Sequence, residues 1–405
     1  AARTAQIRCG GAAPYANPEA RRFYALYGAE GRIQWFVGPG PHGVPPQSRE
    51  ALYAWFIRWF KDGKGDPSDA PVKLEPPENL LCTETGQVAD SLGGETVFGL
   101  NRKRAAGLVP PKPALAGAAD VERLRKRLIG EIRELASVKA VPGGRPPEVR
   151  VHRTVIRGDY RIEVISYEAL DGRVRVPGLI LIPNAAQPRS AVLVVDSRPK
   201  QTIAAEGGEL ESLAKAGHLV LAIQPRGVPE TPARHSMIGD YSTAFRALLV
   251  GKTLLGMRVD DILRAVDYLA SRTDTAGGKI VGFGQGILGP ALLHAAVIDD
   301  RIAGLVLQQT LPTWRMVVDR PLHRDLYEVA IPGVLKRYDM DELLVALSPR
   351  PVTVINPADP IGRPVSQREF RDRCRLAFDA DTALRQQNRV RLAYRAFRSP
   401  LHEFF

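Results

Sequence analysis

Cutting an ester needs an attacking oxygen, a histidine to take its proton and a carboxylate to orient that histidine. The stretch 279–297, KIVGFGQGILGPALLHAAV, has the layout that presents the first of these. Residues 279–283 read as a short buried strand, three glycines alternate after it, and an apolar, alanine-rich run then reads as a helix. Strand, tight turn and helix make a nucleophile elbow, G-x-S-x-G. In the frame Gly282-Phe283-Gly284-Gln285-Gly286 the flanking glycines are in place and the central position is Gly284. A glycine tolerates the backbone of such a turn but has no side chain to attack with. The expectation is a kept turn with a vacated nucleophile position. The same letters, Gly284-Gln285-Gly286-Ile287-Leu288-Gly289, spell G-x-G-x-x-G. A dinucleotide site would need a carboxylate at the end of the next strand, roughly 20 residues on. The strand at 302–307 runs into Gln308, Gln309 and Thr310, so no cofactor is expected.

The partners of a nucleophile follow it in the order acid, then histidine. Asp359, in Asn356-Pro357-Ala358-Asp359-Pro360, lies just past an apolar strand at 352–356, and His402 is the one histidine after the strand at 389–394. Loops at the carboxyl ends of parallel strands are where such sheets put ligands. With Gly284 at the tip, Asp359 and His402 would have only water to activate. The loop after the strand 191–195 is Asp196-Ser197-Arg198-Pro199, without the glycines that usually offer oxyanion amides. A separate histidine, His42, sits in the loop Gly38-Pro39-Gly40-Pro41-His42-Gly43. Of the others (His152, His218, His235, His294, His323), no two are spaced as a zinc-binding HExxH, and His218 and His294 read as structural. Gly251-Lys252-Thr253 has Arg246 where a phosphate loop needs glycine. Three widely spaced cysteines offer no metal-ligand spacing, so no metal is expected either.

These residues need a scaffold, and the chain is long enough for one. It has 405 residues, 44% apolar and 25% charged, with a net charge of +12. Its basic residues are scattered, which argues against a nucleic-acid footprint. No run approaches the roughly 18 apolar residues of a membrane span. From about residue 148 the pattern predicts strands at 149–156, 160–167 and 174–182, joined by turns. Strands at 191–195, 218–223, 279–283, 302–307, 352–356 and 389–394 then alternate with helices at 209–216, 241–249 and 257–269. This is an α/β fold: a mostly parallel sheet with helices on both faces and an antiparallel N-terminal arm. It is the α/β-hydrolase ground plan.

The first 62 residues read as helix (18–27), strand (33–37), the His42 loop and a helix capped by Ser48, with apolar positions at Leu52, Trp55, Phe56, Trp59 and Phe60. That is the order in which an α/β-hydrolase ends, with its general-base histidine on the loop. Residues 83–101 read as two short extended pieces around Gly93-Gly94, and Asp120 as the cap of an amphipathic helix at 121–136. The expected domains are 1–66, the end of a first hydrolase domain; 67–147, a linker with one helix; and 148–405, a second hydrolase domain.

The segments 20–43, 50–63 and 85–105, together with VDRPLHRDLYEVAIPGVLKRYDM and LLVALSPRPVTVINPADPIGRP, resemble acetyl-xylan-esterase-like proteins of the dienelactone-hydrolase branch of the α/β-hydrolases. The resemblance implies a longer parent with two packed hydrolase domains, the first working through a triad that includes His42 and the second a degenerate copy. It also implies acetylated polysaccharides or small esters as substrates, and members that are often exported.

Overall fold

Nine strands form one sheet of order β1-β2-β3-β5-β4-β6-β7-β8-β9. They are β1 (Val149–Arg157), β2 (Tyr160–Glu168), β3 (Arg175–Pro183), β4 (Arg189–Val195), β5 (Leu219–Ile223), β6 (Thr275–Gln285), β7 (Ile302–Gln308), β8 (Val352–Ile355) and β9 (Val390–Ala393). Pairings from β1 to β3 and from β3 to β5 are antiparallel, and all those from β5 to β9 are parallel. The computed structural model describes residues 13–40, 43–170, 172–184, 189–228, 241–386, 389–396 and 399–405. The chain forms two compact units, Ala1–Gly94 and Glu95–Phe405.

The central parallel strands are mostly apolar because both sheet faces are covered; β5 is buried at all five positions. In β4, Ala191, Leu193 and Val195 enter one core, while Val192 and Val194 enter the other. That is the two-residue period of a strand with no wet face. The first core lies under α5 (Ala118–Leu135), α9 (Leu254–Ala270), α10 (Gly289–Ile298) and α12 (Met340–Ala346). The second lies under α7 (Glu209–Lys215) and the terminal turn Leu401–Phe404. Crossovers to β5 through α6 (Lys200–Ile203) and α7, and to β6 through α8 (Tyr241–Leu249) and α9, leave β4 in direct contact with β6. The strand order reverses there, and the crevice at such a point is where an open α/β sheet takes ligands. Later crossovers use α11 (Trp314–Asp319), α12, α13 (Gln367–Arg373) and α14 (Arg375–Ala383).

Buried ion pairs fasten the loops to this frame. Arg226, after β5, donates its backbone N–H and Nε to the fully buried Asp261 of α9. Arg258, one turn earlier in α9, meets Glu328 at 2.5 Å with both side chains buried. Removing one member of such a pair strands a charge in the interior, so these contacts position more than they stabilise.

Helix α5 begins at Ala118, ahead of the expected start. Asp120 works from its third position, accepting from the N–H of Ala116 at 2.7 Å and of Gly117 at 3.2 Å. Its buried face is Val121, Leu124, Leu128 and Ile132. The two extended pieces expected at 83–101 are helices instead, α3 (Val88–Leu92) and α4 (Val97–Leu108). Gly93 ends the first with φ of 58°, and the Thr96 side chain caps the second by accepting from Gly99 N–H at 3.0 Å.

In the Ala1–Gly94 unit, α1 (Ala13–Ala25) starts five residues before the expected helix at 18–27 and has Pro18 inside it, while α2 (Pro46–Phe60) occupies the expected place. Residues 33–37 are not a strand; no described segment pairs with them, and a lone extended piece has no ladder to join. Pro45, not Ser48, stands at the N-cap of α2, and α2 has no buried residue. Its Trp55–Trp59 and Phe56–Phe60 rings contact one another at one-turn spacing, 5.7 and 5.6 Å apart.

Candidate active site

Strand β6 passes through Gly284 without turning. Gly284 pairs with Val195 of β4 and Leu307 of β7. A Cβ built on it would lie 3.0 Å from Gly289 Cα, 3.1 Å from Leu292 and 3.2 Å from Leu307. Gly284 is therefore the place where α10 packs against the strand. The turn comes two residues later, at Gly286, whose φ is +56° and whose Cβ direction meets nothing within 4 Å. The frame expected from the sequence shifts by two, and the tip position is Gly286 rather than Gly284. It too is a glycine, and its Cβ direction is open.

The carboxyl ends of the other strands surround this tip. Asp196, Ser197 and Arg198 follow β4; Gln309 follows β7; Asn356 and Asp359 follow β8; Arg395 follows β9. Gln309 and Asn356 hold left-handed backbones, with φ of 52° and 46°, uncommon for residues with a side chain. Gln285 Nε2 donates to Gln309 Oε1 at 2.5 Å. Arg395 Nη1 donates to Glu209 Oε1 at 2.6 Å and to Gln308 Oε1 at 3.0 Å. Arg198 pairs with Asp196 at 2.6 Å and also with Glu209. Burial alone would raise the Glu209 pKa, but the hydrogen bond from Arg395 and the charge of Arg198 hold it below the usual range. The ends of β4 and β9 are thus cross-tied through the Glu209 carboxylate, and Arg395 also ties in the end of β7.

A pocket of about 340 Å³ opens at the tip, bordered by Ser197, Gln285, Gly286, Gln309 and Asp359 with Ile287, Pro290 and Leu311 as apolar wall. A neighbouring cavity, lined by Glu209, Asn356, Arg395 and His402, shares Arg198 and Gln309 with it. Asp359 therefore reaches the tip pocket and His402 the cavity beside it. The two are not hydrogen-bonded among the described residues. Asp359 Oδ1 instead accepts from the N–H of Ile361 at 3.0 Å and of Arg363 at 2.9 Å, closing its own turn. His402 is exposed in the Leu401–Phe404 turn. His42 lies outside the described residues.

His294 is wholly buried on α10. Its Nδ1 donates to Pro290 O at 2.6 Å, and its Nε2 accepts from Tyr338 OH at 3.1 Å. Burial pushes its pKa down to about 4, so it is a neutral core group. Sequence reasoning passed over Arg198, Glu209, Gln309 and Arg395. The available signal was their position, one to a few residues beyond predicted strand ends or, for Glu209, at a predicted helix start. Among the described residues no group of three His, Cys, Asp or Glu side chains could hold a metal, and no helix is long and apolar enough to cross a membrane.

Sheet order, elbow turn and ligand crevice together define an α/β-hydrolase fold. Comparison with known proteins agrees. No family model matches the chain. It is 26% identical over 240 residues to the Bacillus subtilis (strain 168) protein named "Putative hydrolase YtaP", covering 56% of this chain and 75% of that one. Its fold is similar to the crystal structure titled as a putative acetyl xylan esterase from Bacteroides fragilis NCTC 9343, with a TM-score of 0.61 and 16% identity over 75% of this chain and 84% of the other. A glucuronoyl esterase from Teredinibacter turnerae T7901 matches with a TM-score of 0.53 and 17% identity, over 72% of this chain and 86% of its own.

Proposed function

We propose that the Glu95–Phe405 unit is a non-catalytic module built on the plan of a carboxylic-ester hydrolase, which holds an ester or carbohydrate ligand in the pocket at the tip of β6. One observation carries this reading. Gly286 occupies the turn where the attacking side chain would stand, and among the described residues nothing lies within 4 Å of its Cβ direction. Triad members act as a unit, so losing the nucleophile removes nearly all of the rate. The separation of Asp359 and His402 into adjoining cavities supports the same conclusion. Incubation of the chain with a serine-reactive fluorophosphonate tests it. No labelling of this unit is expected, and stoichiometric labelling of any of its residues refutes the reading.

A second reading, hydrolysis of small esters with His42 as general base, is favoured by helix α2, which follows the His42 loop as a closing helix would. In that reading the two expected hydrolase domains pack together in an acetyl-xylan-esterase-like enzyme. p-Nitrophenyl acetate hydrolysis with and without His42→Ala decides it: a role for His42 predicts a large loss, and equal rates dismiss it.

A further inference from the structure

We propose that the tip pocket and the cavity beside it form one cleft for an acylated sugar whose acyl group is larger than acetyl. The acyl group enters the tip pocket, the sugar lies in the neighbouring cavity, and the ester carbonyl sits on the border between them. The proposal rests on reading the tip pocket as a binding site.

The two spaces differ in character. The tip pocket, about 340 Å³, is walled by Ile287, Pro290, Leu311, Leu326 and Val329. The cavity beside it, about 840 Å³, presents Thr202, Glu209, Ser212, Asn356, Arg395 and Ser399. The first suits a hydrocarbon group. The second suits a ring of hydroxyls, which both donate and accept. A volume of about 340 Å³ falls in the range of roughly 300–1,000 Å³ that encloses whole small-molecule ligands. An acetyl group leaves most of it empty, and apolar wall without a neighbour forgoes its dispersion contacts. An aromatic or branched acyl group fills it.

Arg198 and Gln309 line both spaces, so they mark the border. Gln309 is exposed and holds φ of 52°, a costly backbone conformation of the kind that clusters at ligand sites. Its Oε1 accepts from Gln285 Nε2 at 2.5 Å, which fixes the amide. The nitrogen on its other arm, Nε2, has no partner among the described residues. Arg198 is fixed in the same way. Its Nε and Nη2 donate to Asp196 and its Nη2 also to Glu209, while Nη1 has no partner among the described residues. Two oriented donors therefore stand on the border, and the ester carbonyl is the part of an acylated sugar that only accepts. Arg324 adds a donor at the rim of the tip pocket, but Asp325 and Asp359 stand on the same pocket. The rim thus has no surplus of positive charge to select an anionic acyl group.

Titration calorimetry of the full chain with methyl 6-O-benzoyl-α-D-glucopyranoside, its 6-O-acetyl counterpart and methyl benzoate tests this. The benzoyl sugar should bind at least about tenfold more tightly than the acetyl sugar, the scale on which apolar pockets register added hydrocarbon. It should also bind more tightly than methyl benzoate, which leaves the polar cavity empty. Leu326→Trp, which fills the tip pocket from a half-buried wall position, should erase the benzoyl preference and leave acetyl-sugar binding unchanged. Gln309→Met, without the donor, should weaken both sugar esters alike; unchanged binding overturns the role of its amide. Equal or tighter binding of the acetyl sugar overturns the inference of a larger acyl group. Methyl benzoate matching the benzoyl sugar overturns the shared cleft. Each of these leaves the binding reading standing, whereas failure of the wild-type chain to bind any of the three overturns both. Should a variant not fold, the wild-type ratios decide alone.

Discussion

Gly289 Cα stands 3.0 Å from the point where a Cβ on Gly284 would lie, tighter than most real Cβ contacts. Helix α10 is thus seated directly on strand β6 at Gly284, while two residues further on Gly286 faces open space. Two glycines of one short motif have opposite reasons to be glycine, close approach at the first and turn geometry at the second.

The two should respond differently to the same substitution. Gly284→Ser forces the helix off the strand and is expected to cost about 1–3 kcal/mol. Gly286→Ser meets no atom and bears only the left-handed backbone, about 1 kcal/mol. Urea unfolding of both variants checks this. A Gly284→Ser protein as stable as wild type would show that the strand does not pack as described.

Restoring the oxygen should not restore reactivity. His402 lines the neighbouring cavity and Asp359 is tied into its own turn, so a serine at 286 would lack a positioned base. Gly286→Ser is expected to remain unlabelled by fluorophosphonate at neutral pH. Rapid labelling would mean that an imidazole reaches the tip after all.

Glu209 joins Arg198 and Arg395, and Glu209→Gln should destabilise by about 1.5–3 kcal/mol, the range for hydrogen bonds to charged groups. The folded-state pKa of this carboxyl is lowered from its ordinary 4.5. Its stabilisation is therefore present above that ordinary value and lost as pH falls through the lowered one. The stability gap between wild type and Glu209→Gln should narrow in acid. A gap that is constant with pH would remove the charge from the explanation.

His294 gives the same sign from a base. Its pKa is lowered from 6.5 to about 4, so the unfolded chain takes up a proton more readily over that window. Stability from this group is complete above 6.5 and falls as pH drops toward about 4, by up to about 3 kcal/mol. The buried Asp339, with its pKa raised to about 6 by burial, works in the opposite direction between its ordinary 3.8 and that value. Comparison of wild type with His294→Gln therefore isolates the histidine: melting temperatures of the variant should fall less steeply between pH 6.5 and 4. Parallel curves would show that His294 does not titrate differently on folding.

The sheet was legible because its strands are short apolar runs bounded by glycine and polar turns, and because the connections from β4 to β7 carry helical patterns; the helices between β7 and β9 were not read. The tip was misplaced by two residues for a physical reason. Both frames have glycines at permitted places, and only the pairing of Gln285 with Gln308 shows that the strand runs on past Gly284. Arg198 and Arg395 were invisible among 56 basic residues, since nothing local separates a tied arginine from a solvated one. Their meaning comes from loops far apart in the chain meeting at one edge. Helices α3 and α4 were missed because Gly93-Gly94 looks like a hairpin turn, whereas Gly93 is a helix stop and Thr96 a helix start.

The strand order also sets a timetable for synthesis. β4 ends at Val195, but the partner for its second edge, β6, does not begin until Thr275. A nascent chain must carry β4 half-paired, with one row of amides and carbonyls unsatisfied, until α8 and α9 have left the ribosome. Non-local parallel pairing of this kind folds slowly and is prone to aggregate while it waits. Yield of soluble protein should therefore depend on translation rate and chaperone supply through that interval more than on the final stability of the sheet.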